Sequence, residues 1–180
     1  MSDYEAELEL PIEYVPVYPK IEPAKLYHTA ITKNEVASDV YRFIALHGLT
    51  FLHMEYFYTP PHSKLDPHCD QSFLHDNAKI NWVFGGEGST MDWYDLLPGA
   101  IPKIQTTVVG SQYLIAHPSF FTLKHSAQVG QPSLIHYGIF HGITNYSQPR
   151  HTFSFTLGDK QTKKFTTFTQ AKEIFKKYVV

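Results

Sequence analysis

Residues 150–157 read Arg-His-Thr-Phe-Ser-Phe-Thr-Leu, and two kinds of side chain alternate along them. Because successive side chains of a β-strand point to opposite faces, this alternation predicts a strand with two different faces. One face carries Arg150, Thr152, Ser154 and Thr156, and the other carries His151, Phe153, Phe155 and Leu157. The apolar face needs a packing partner, which helices lying over a barrel would supply. The polar face would then line the barrel interior, where an arginine is unfavourable unless an anion accompanies it.

Short strands of a similar kind occupy most of the chain from Leu49 onward. Gly, Pro, Asn and Ser separate these segments, and aromatic residues make up 15% of the chain. The predicted strands are Thr50–Tyr58, Leu65–Asp70, Lys79–Phe84, Thr90–Tyr94, Thr106–Ile115, Ser119–Leu123, Leu134–Thr144 and Arg150–Leu157. Several short strands between turns, with one helix before them and one after, are typical of a jelly roll or a barrel. The sequence therefore predicts a mainly β fold with flanking helices.

The length of 180 residues is typical of one domain with a sizeable core, spanning residues 1–180. Its predicted parts are an N-terminal arm at 1–33, a helix at 34–48, a jelly-roll core at 49–158 and a C-terminal helical segment at 159–180. The arm is rich in proline, which favours extended structure over helix. Asn34 is the expected cap of the first helix and Gly48 its end. The closing helix is expected at Gln170–Tyr178.

The composition argues against several classes of protein. The formal net charge is −2, so we expect no nucleic-acid partner. No apolar run reaches the roughly 18 residues that a membrane span needs, and the acidic start of the chain lacks the apolar region of a secretory signal. The single cysteine, Cys69, cannot form a disulfide within the chain and suits a reducing compartment. We therefore expect a cytoplasmic protein that does not bind membranes.

A histidine and an aspartate, His68 and Asp70, stand two residues apart on a predicted strand. Residues i and i+2 of a strand share a face, so the imidazole and the carboxylate could grip one metal ion while Cys69 points the other way. The chain has 11 histidines, so chance alone can produce such a pair. The pair is therefore a weak motif until other residues join it.

A third histidine and an arginine strengthen the pattern. His141 and Arg150 are nine residues apart, and the turn-forming residues at 145–149 predict a hairpin between them. In a hairpin both side chains would lie on the same face of the same sheet, a few ångströms apart. Taken alone, His141 would be a core histidine and Arg150 half of a surface ion pair. Together with the His-x-Asp pair, they favour a site for a metal ion and an anion.

The order His68-x-Asp70, His141, Arg150 resembles the iron and co-substrate signature of the Fe(II)/2-oxoglutarate-dependent oxygenases. Further segments resemble small bacterial and phage-type members of that superfamily: Phe57-Tyr58-Thr59-Pro60-Pro61, Ile80-Asn81-Trp82 and Trp93-Tyr94. The resemblance covers residues 51–157 and departs from the pattern at no metal position. It implies a double-stranded β-helix, a cupin-like variety of jelly roll.

The resemblance also implies a role for each matching residue. The ligands of Fe(II) would be His68, Asp70 and His141, and no other residue would be a catalytic group. The residues that would bind 2-oxoglutarate are Arg150, Thr152, Ser154 and Asn81. The arginine would pair with the distal carboxylate, the hydroxyls two and four residues after it could share that carboxylate, and the asparagine would reach in from a neighbouring strand.

The implied function is that of a dioxygenase, of the hydroxylase type, which couples oxidative decarboxylation of 2-oxoglutarate to oxidation of a C–H bond by molecular oxygen. One alternative is a non-enzymatic jelly-roll module, sugar-binding or virion-associated, whose His-x-Asp pair holds a structural ion or none. Another is a cupin-type enzyme with a different metal, against which the absence of a His-x-His pair argues. The residues do not reveal the substrate, whether small molecule or peptide, or the oligomeric state.

Overall fold

The computed structural model describes residues 2–70, 76–107, 110, 112–130 and 132–180. Within these residues the chain forms twelve strands, two α-helices and three short 3-10 helices. The strands are β1 (Glu5–Glu7), β2 (Tyr27–Ala30), β3 (Leu49–Thr59), β4 (Lys64–Asp70), β5 (Ala78–Gly85), β6 (Thr90–Leu96), β7 (Lys103–Thr106), β8 (Gln112–Ile115), β9 (Phe121–Ala127), β10 (Ser133–His136), β11 (His141–Thr144) and β12 (Arg150–Asp159). The α-helices are α1 (Ser38–Leu46) and α2 (Phe168–Phe175), and the 3-10 helices are Lys33–Glu35, Pro118–Phe120 and Lys176–Tyr178.

The strands of the described residues form two antiparallel sheets of six strands each. The first sheet has the order β1-β10-β5-β12-β3-β2, and the second has the order β7-β8-β4-β11-β6-β9. Along the chain, β3 to β6 alternate between the sheets, β9 pairs with β6, and β10 to β12 alternate back again. This course winds one long antiparallel ribbon into two facing sheets, which is a double-stranded β-helix. The predicted mainly β fold with flanking helices is confirmed.

The outer face of the first sheet is covered by the two helices and by the N-terminal arm. Phe153, Phe155 and Leu157 of β12 are at most 1% exposed in this apolar cluster. The covering side chains include Tyr14, Val40, Ile44, Ala171 and Phe175. The two faces predicted from the alternation in residues 150–157 are therefore present. The apolar side chains pack outward, and the polar side chains face the second sheet.

The space between the sheets is part apolar and part polar. At one end, Val83 and Ile135 of the first sheet pack against Met91, Trp93 and Ile143 of the second. The remaining inner face of β12 is polar but buried, since its arginine, serine and two threonines are only 2–4% exposed. A small apolar core thus holds the sheets together, and polar side chains occupy the rest of the interior.

The hairpin predicted between His141 and Arg150 is wrong. β11 lies in the second sheet and β12 in the first, so the connection crosses from one sheet to the other. The side-chain amide of Asn145 stabilises this crossing by donating hydrogen bonds to the carbonyl oxygens of Thr59, Pro60 and Gln148. Turn-forming residues predict that the chain reverses, but they do not say whether it returns to the same sheet.

Two long predicted strands are each divided. Leu134–Thr144 separates into β10 and β11, which lie in different sheets. Thr106–Ile115 separates into β7 and β8, which pair with each other, and its residues 108, 109 and 111 lie outside the described part of the chain. The apolar pattern continued through the first division, because Tyr137 and Phe140 between β10 and β11 are buried as deeply as the strand residues beside them.

The flanking elements also differ from the prediction. The first helix begins at Ser38 rather than after Asn34, because Thr32 and Glu35 close a capping box around a 3-10 turn and Val36 is extended. The arm is not wholly separate from the core, since it supplies β1 and β2 at the two edges of the first sheet. In the described chain α1 has nine residues and α2 eight, and neither is long enough to cross a membrane.

Candidate metal centre

The second sheet brings His68, Asp70 and His141 together. His68 and Asp70 lie on β4, and His141 opens β11 directly opposite His68 in the antiparallel register. One ligand atom from each of the three side chains lies within 4.8 Å of the other two. The i, i+2 spacing places the first two side chains on one face, and their neighbour Cys69 is fully buried on the other. The predicted convergence is present, while metal binding itself stays a prediction.

Backbone carbonyl groups orient both imidazoles. Nδ1 of His68 donates to the carbonyl oxygen of Asp66 at 2.9 Å, and Nδ1 of His141 donates to that of Ile139 at 2.8 Å. A carbonyl oxygen only accepts, so Nδ1 carries the proton and Nε2 keeps a lone pair in the neutral ring. Such outer hydrogen bonds set the tautomer and the direction of histidines that ligate metals. Both rings are therefore prepared to bind a cation through Nε2.

Charges around the centre favour the ionised acid and the neutral imidazole. Burial and the neighbouring His68 lower the pKa of His141 to about 4, so this ring is neutral near pH 7. Burial alone would raise the pKa of Asp70, but Lys79 and the two histidines outweigh it and hold that pKa well below its usual range. Two imidazole nitrogens and one carboxylate oxygen form the facial set that leaves coordination positions of Fe(II) open.

An open cavity of about 830 Å³ lies against this centre. Its polar floor includes His28, Glu55, His68, Asp70 and Lys79. Its walls are largely apolar and aromatic, and they include Tyr27, Phe57, Leu65, Tyr113, Ile115 and Phe165. A volume in this range with a few convergent polar groups is typical of a site for a small molecule.

The four residues predicted to bind the co-substrate lie on the inner face of the first sheet, but not on the wall of this cavity. Asn81 of β5 is the register partner of Ser154 on β12. Arg150 stands at the start of β12, opposite Thr59, which does line the cavity. The structure thus groups the four residues on one buried surface that is not part of the cavity lining.

The buried guanidinium of Arg150 lacks an acidic partner among the described residues. Its Nη1 donates to Oγ1 of Thr152 at 2.6 Å, while its Nε has no acceptor among the described residues. Oδ1 of Asn81 is also buried without a hydrogen-bond partner in the described part of the chain. Burial lowers the pKa of Arg150 to about 10, and no carboxylate in the described part of the chain offsets that effect. A buried cation with spare donors suits a carboxylate ligand, so these residues fit the acid group of 2-oxoglutarate.

Two charged residues of the site were missed in the sequence. Lys79 on β5 and Glu55 on β3 face the interior and form an ion pair of 3.1 Å, and Lys79 also bonds Asp70. The pKa of the lysine is raised, because the two acids outweigh the effect of burial. The available signal was a lysine in the segment Ala78–Val83, whose other residues are apolar except Asn81, since a charge in a buried strand needs a partner.

Gly142 controls the spacing between the two strands that carry the histidines. A Cβ at this position would lie 2.6 Å from the carbonyl oxygen of Leu65, where the register of β11 against β4 shifts. We expect Gly142→Ala to push these strands apart, lowering the free energy of unfolding by about 1–3 kcal/mol and the affinity for Co(II) roughly tenfold. Urea denaturation and metal titration measure the two effects.

Gly158→Ala is the matched control, because its Cβ would crowd the side chain of Leu52 on β3, within the first sheet. That variant is expected to lose stability and keep its metal affinity. Equal metal affinities in the two variants would show that Gly142 does not position the histidines.

The fold and the site define a class, a double-stranded β-helix with a candidate metal centre between its sheets. No known family model matches the chain, and no curated protein matches it. Among solved structures, it is similar to an uncharacterised conserved protein with a double-stranded β-helix domain from Klebsiella pneumoniae subsp. pneumoniae (10% identity, TM-score 0.34, covering 83% of this chain and 84% of that one). It is also similar to a cupin 2 domain-containing protein from Halorhodospira halophila (8% identity, TM-score 0.34, covering 94% of this chain and 87% of that one).

A further similar structure is the epimerase SnoN in complex with Fe3+, alpha-ketoglutarate and nogalamycin RO (16% identity, TM-score 0.42, covering 82% of this chain and 68% of that one). All three similarities are distant. The architecture of this chain rests on its own strand topology, and its function has to be argued from its own residues.

Proposed function

We propose that this chain is an Fe(II)- and 2-oxoglutarate-dependent oxygenase that hydroxylates a substrate bound in the 830 Å³ cavity. The observation that carries the proposal is the convergence of His68, Asp70 and His141, of which His68 and Asp70 line that cavity. A set of two histidines and one carboxylate with open positions is the ligand set of non-haem Fe(II) oxygenases. Bound Fe(II) and 2-oxoglutarate would supply oxygen activation, coupling decarboxylation of the 2-oxo acid to oxidation of a C–H bond.

The chain itself would hold and orient the reactants. The two imidazoles and the Asp70 carboxylate would hold the metal, because backbone carbonyls and Lys79 already fix their directions. Arg150 would donate to the distal carboxylate of 2-oxoglutarate through donors that Thr152 does not use, and Ser154 and Asn81 offer further polar atoms on the same face. The protein has no proton to transfer in this scheme, so no general base is needed.

The cavity would position the substrate and exclude water. Its aromatic and aliphatic walls bury apolar surface, while its polar floor keeps the metal centre next to the bound molecule. A dry site also limits side reactions of the oxidising centre. The proposal therefore assigns binding and orientation to this chain, and the oxidation to its cofactors.

Anaerobic mixing with Fe(II) and 2-oxoglutarate tests the proposal. We expect a weak visible charge-transfer band that requires both components, and succinate formation after oxygen is admitted. Zn(II) in place of Fe(II) is the control, since it fills the site without redox chemistry. Absence of both the band and the succinate would overturn the oxygenase proposal in favour of a non-enzymatic jelly-roll module.

A further inference from the structure

Lys79 is a cation buried directly against a predicted metal ligand. It lies on β5 of the first sheet and reaches across the interior, so that its Nζ lies 2.8 Å from Oδ2 of Asp70 on the second sheet. The same Nζ lies 3.1 Å from Oε2 of Glu55 and 4.6 Å from the ring centre of Tyr137. The lysine side chain is only 7% exposed. This ammonium group is therefore held by acids and an aromatic face rather than by water.

The second acid is itself engaged at both oxygens. Oε1 of Glu55 lies 3.1 Å from Nε2 of His28, which leaves Oε2 for the lysine. The imidazole of His28 stacks on Phe57 with ring centres 4.4 Å apart. His28 lies on β2 and Glu55 on β3, two paired strands of the first sheet. Glu55 is therefore held in place by His28 and in turn fixes the position of Lys79. The ammonium position is thus determined before any metal arrives.

The two oxygens of the Asp70 carboxylate have different environments. Oδ1 is 3.6 Å from Nε2 of His68 and faces the imidazoles, while Oδ2 accepts from Lys79. Packing alone does not require this arrangement, because an apolar side chain would fill the space without the unfavourable burial of charge. An ion pair kept at this place points to a task for the lysine.

We propose that Lys79 is a positioning residue of the metal centre, which occupies Oδ2 of Asp70 and presents Oδ1 to the metal. The inference rests on the metal centre of the proposed function. By engaging one oxygen, the lysine restricts the carboxylate to one-oxygen coordination and keeps more positions available for other ligands. Outer partners that orient metal ligands in this way raise metal affinity about 10- to 100-fold.

The test is a titration with Co(II), without 2-oxoglutarate, followed by visible absorption. The main variant is Lys79→Met with Glu55→Gln, since removing only the lysine would leave a second buried carboxylate without its cation. We expect its dissociation constant for Co(II) to rise about 10- to 100-fold. Lys79→Arg, which can still donate to both acids, is expected to stay within about threefold of the unmodified protein.

The matched control is Lys124→Met with Asp95→Asn, which removes a 2.8 Å lysine–aspartate pair on the surface. Circular dichroism and thermal unfolding establish that each variant is folded. If the main variant does not fold, Lys79→Gln with Glu55→Gln keeps polar groups at both positions. We expect its dissociation constant for Co(II) to rise about tenfold.

The outcomes separate this inference from the proposed function. Unchanged or tighter Co(II) binding in the folded variant that combines Lys79→Met with Glu55→Gln would overturn the positioning role while leaving the metal centre intact. Failure of the unmodified protein to bind Co(II) would overturn both. The positioning role is supported if Co(II) affinity falls in the main variant, is retained in Lys79→Arg and is unchanged in the Lys124→Met, Asp95→Asn control. A lysine with a merely structural role would change the stability of the protein and not the Co(II) affinity of the folded form.

Discussion

Replacing Asp70 with alanine should abolish Fe(II) binding at micromolar metal and, with it, succinate formation from 2-oxoglutarate. The carboxylate is the negatively charged member of the candidate ligand set, and it lies within 4.8 Å of both imidazole ligands. Its loss leaves the two imidazoles together with Lys79, whose charge repels a divalent cation. We expect the metal affinity to fall by more than the roughly 100-fold upper range for loss of an outer-shell partner.

The same variant should remain folded. Asp70 shares Lys79 with Glu55, so its removal leaves one ammonium paired with one carboxylate at 3.1 Å. A remaining one-to-one pair avoids the penalty of about 3–5 kcal/mol for an uncompensated buried charge. Thermal unfolding without metal should therefore change little, and the loss of binding can be assigned to the ligand.

Asp66→Ala is the control for this prediction. Asp66 lies on the same strand and lines the same cavity, but it is exposed and only its backbone contacts His68. We expect the control to bind Fe(II) and to form succinate within about threefold of the unmodified protein. Retention of full iron affinity in folded Asp70→Ala would exclude Asp70 as a metal ligand.

Replacing Arg150 with methionine should stabilise the protein while removing its affinity for 2-oxoglutarate. The guanidinium is 2% exposed, and no described carboxylate pairs with it. An apolar side chain of similar length avoids the burial of that charge, so we expect a gain of about 1–4 kcal/mol in the free energy of unfolding without ligand. Two charge-assisted hydrogen bonds to a carboxylate contribute about 1.5–3 kcal/mol each, so the dissociation constant for 2-oxoglutarate should rise at least 100-fold.

Two measurements separate these effects. Urea denaturation without ligand reports the stability, and calorimetry with Zn(II)-loaded protein reports 2-oxoglutarate binding while metal affinity stays unchanged. Arg42→Met is the control, because this arginine forms an exposed pair with Asp39 on α1 and lies outside the cavity lining. Unchanged 2-oxoglutarate affinity in Arg150→Met would contradict the assignment of Arg150 to the co-substrate.

Local side-chain patterns predicted much of the fold. The alternation in residues 150–157 separated the apolar outer face of β12 from its polar inner face. The turn-forming residues marked where strands end. The prediction was nevertheless wrong about the path from β11 to β12, and it did not divide Leu134–Thr144 into two strands. The first error arises because a chain reversal within a sheet and a crossing between sheets use the same residue types. The second arises because residues 137–140 continue the apolar pattern between β10 and β11.

The candidate site was also predicted in part by local spacing and in part decided by the pairing of distant strands. The i, i+2 spacing placed His68 and Asp70 on one face, since a strand has a period of two. His141 joins them through the pairing of β11 with β4, and not through the hairpin that the residues at 145–149 predicted. Lys79 had no local pattern that tied it to Asp70, because the two lie on different sheets.

The sequence by itself determined that short strands alternate with turns, that β12 has two different faces, and that His68 and Asp70 share a face. These features depend on residues that are close along the chain. Only the tertiary structure decided that the two sheets face each other, that Lys79 reaches Asp70 across the interior, and that Arg150 is buried outside the cavity lining. Those contacts join residues that are distant in sequence, and their geometry follows from how the strands wind into two sheets rather than from any local preference.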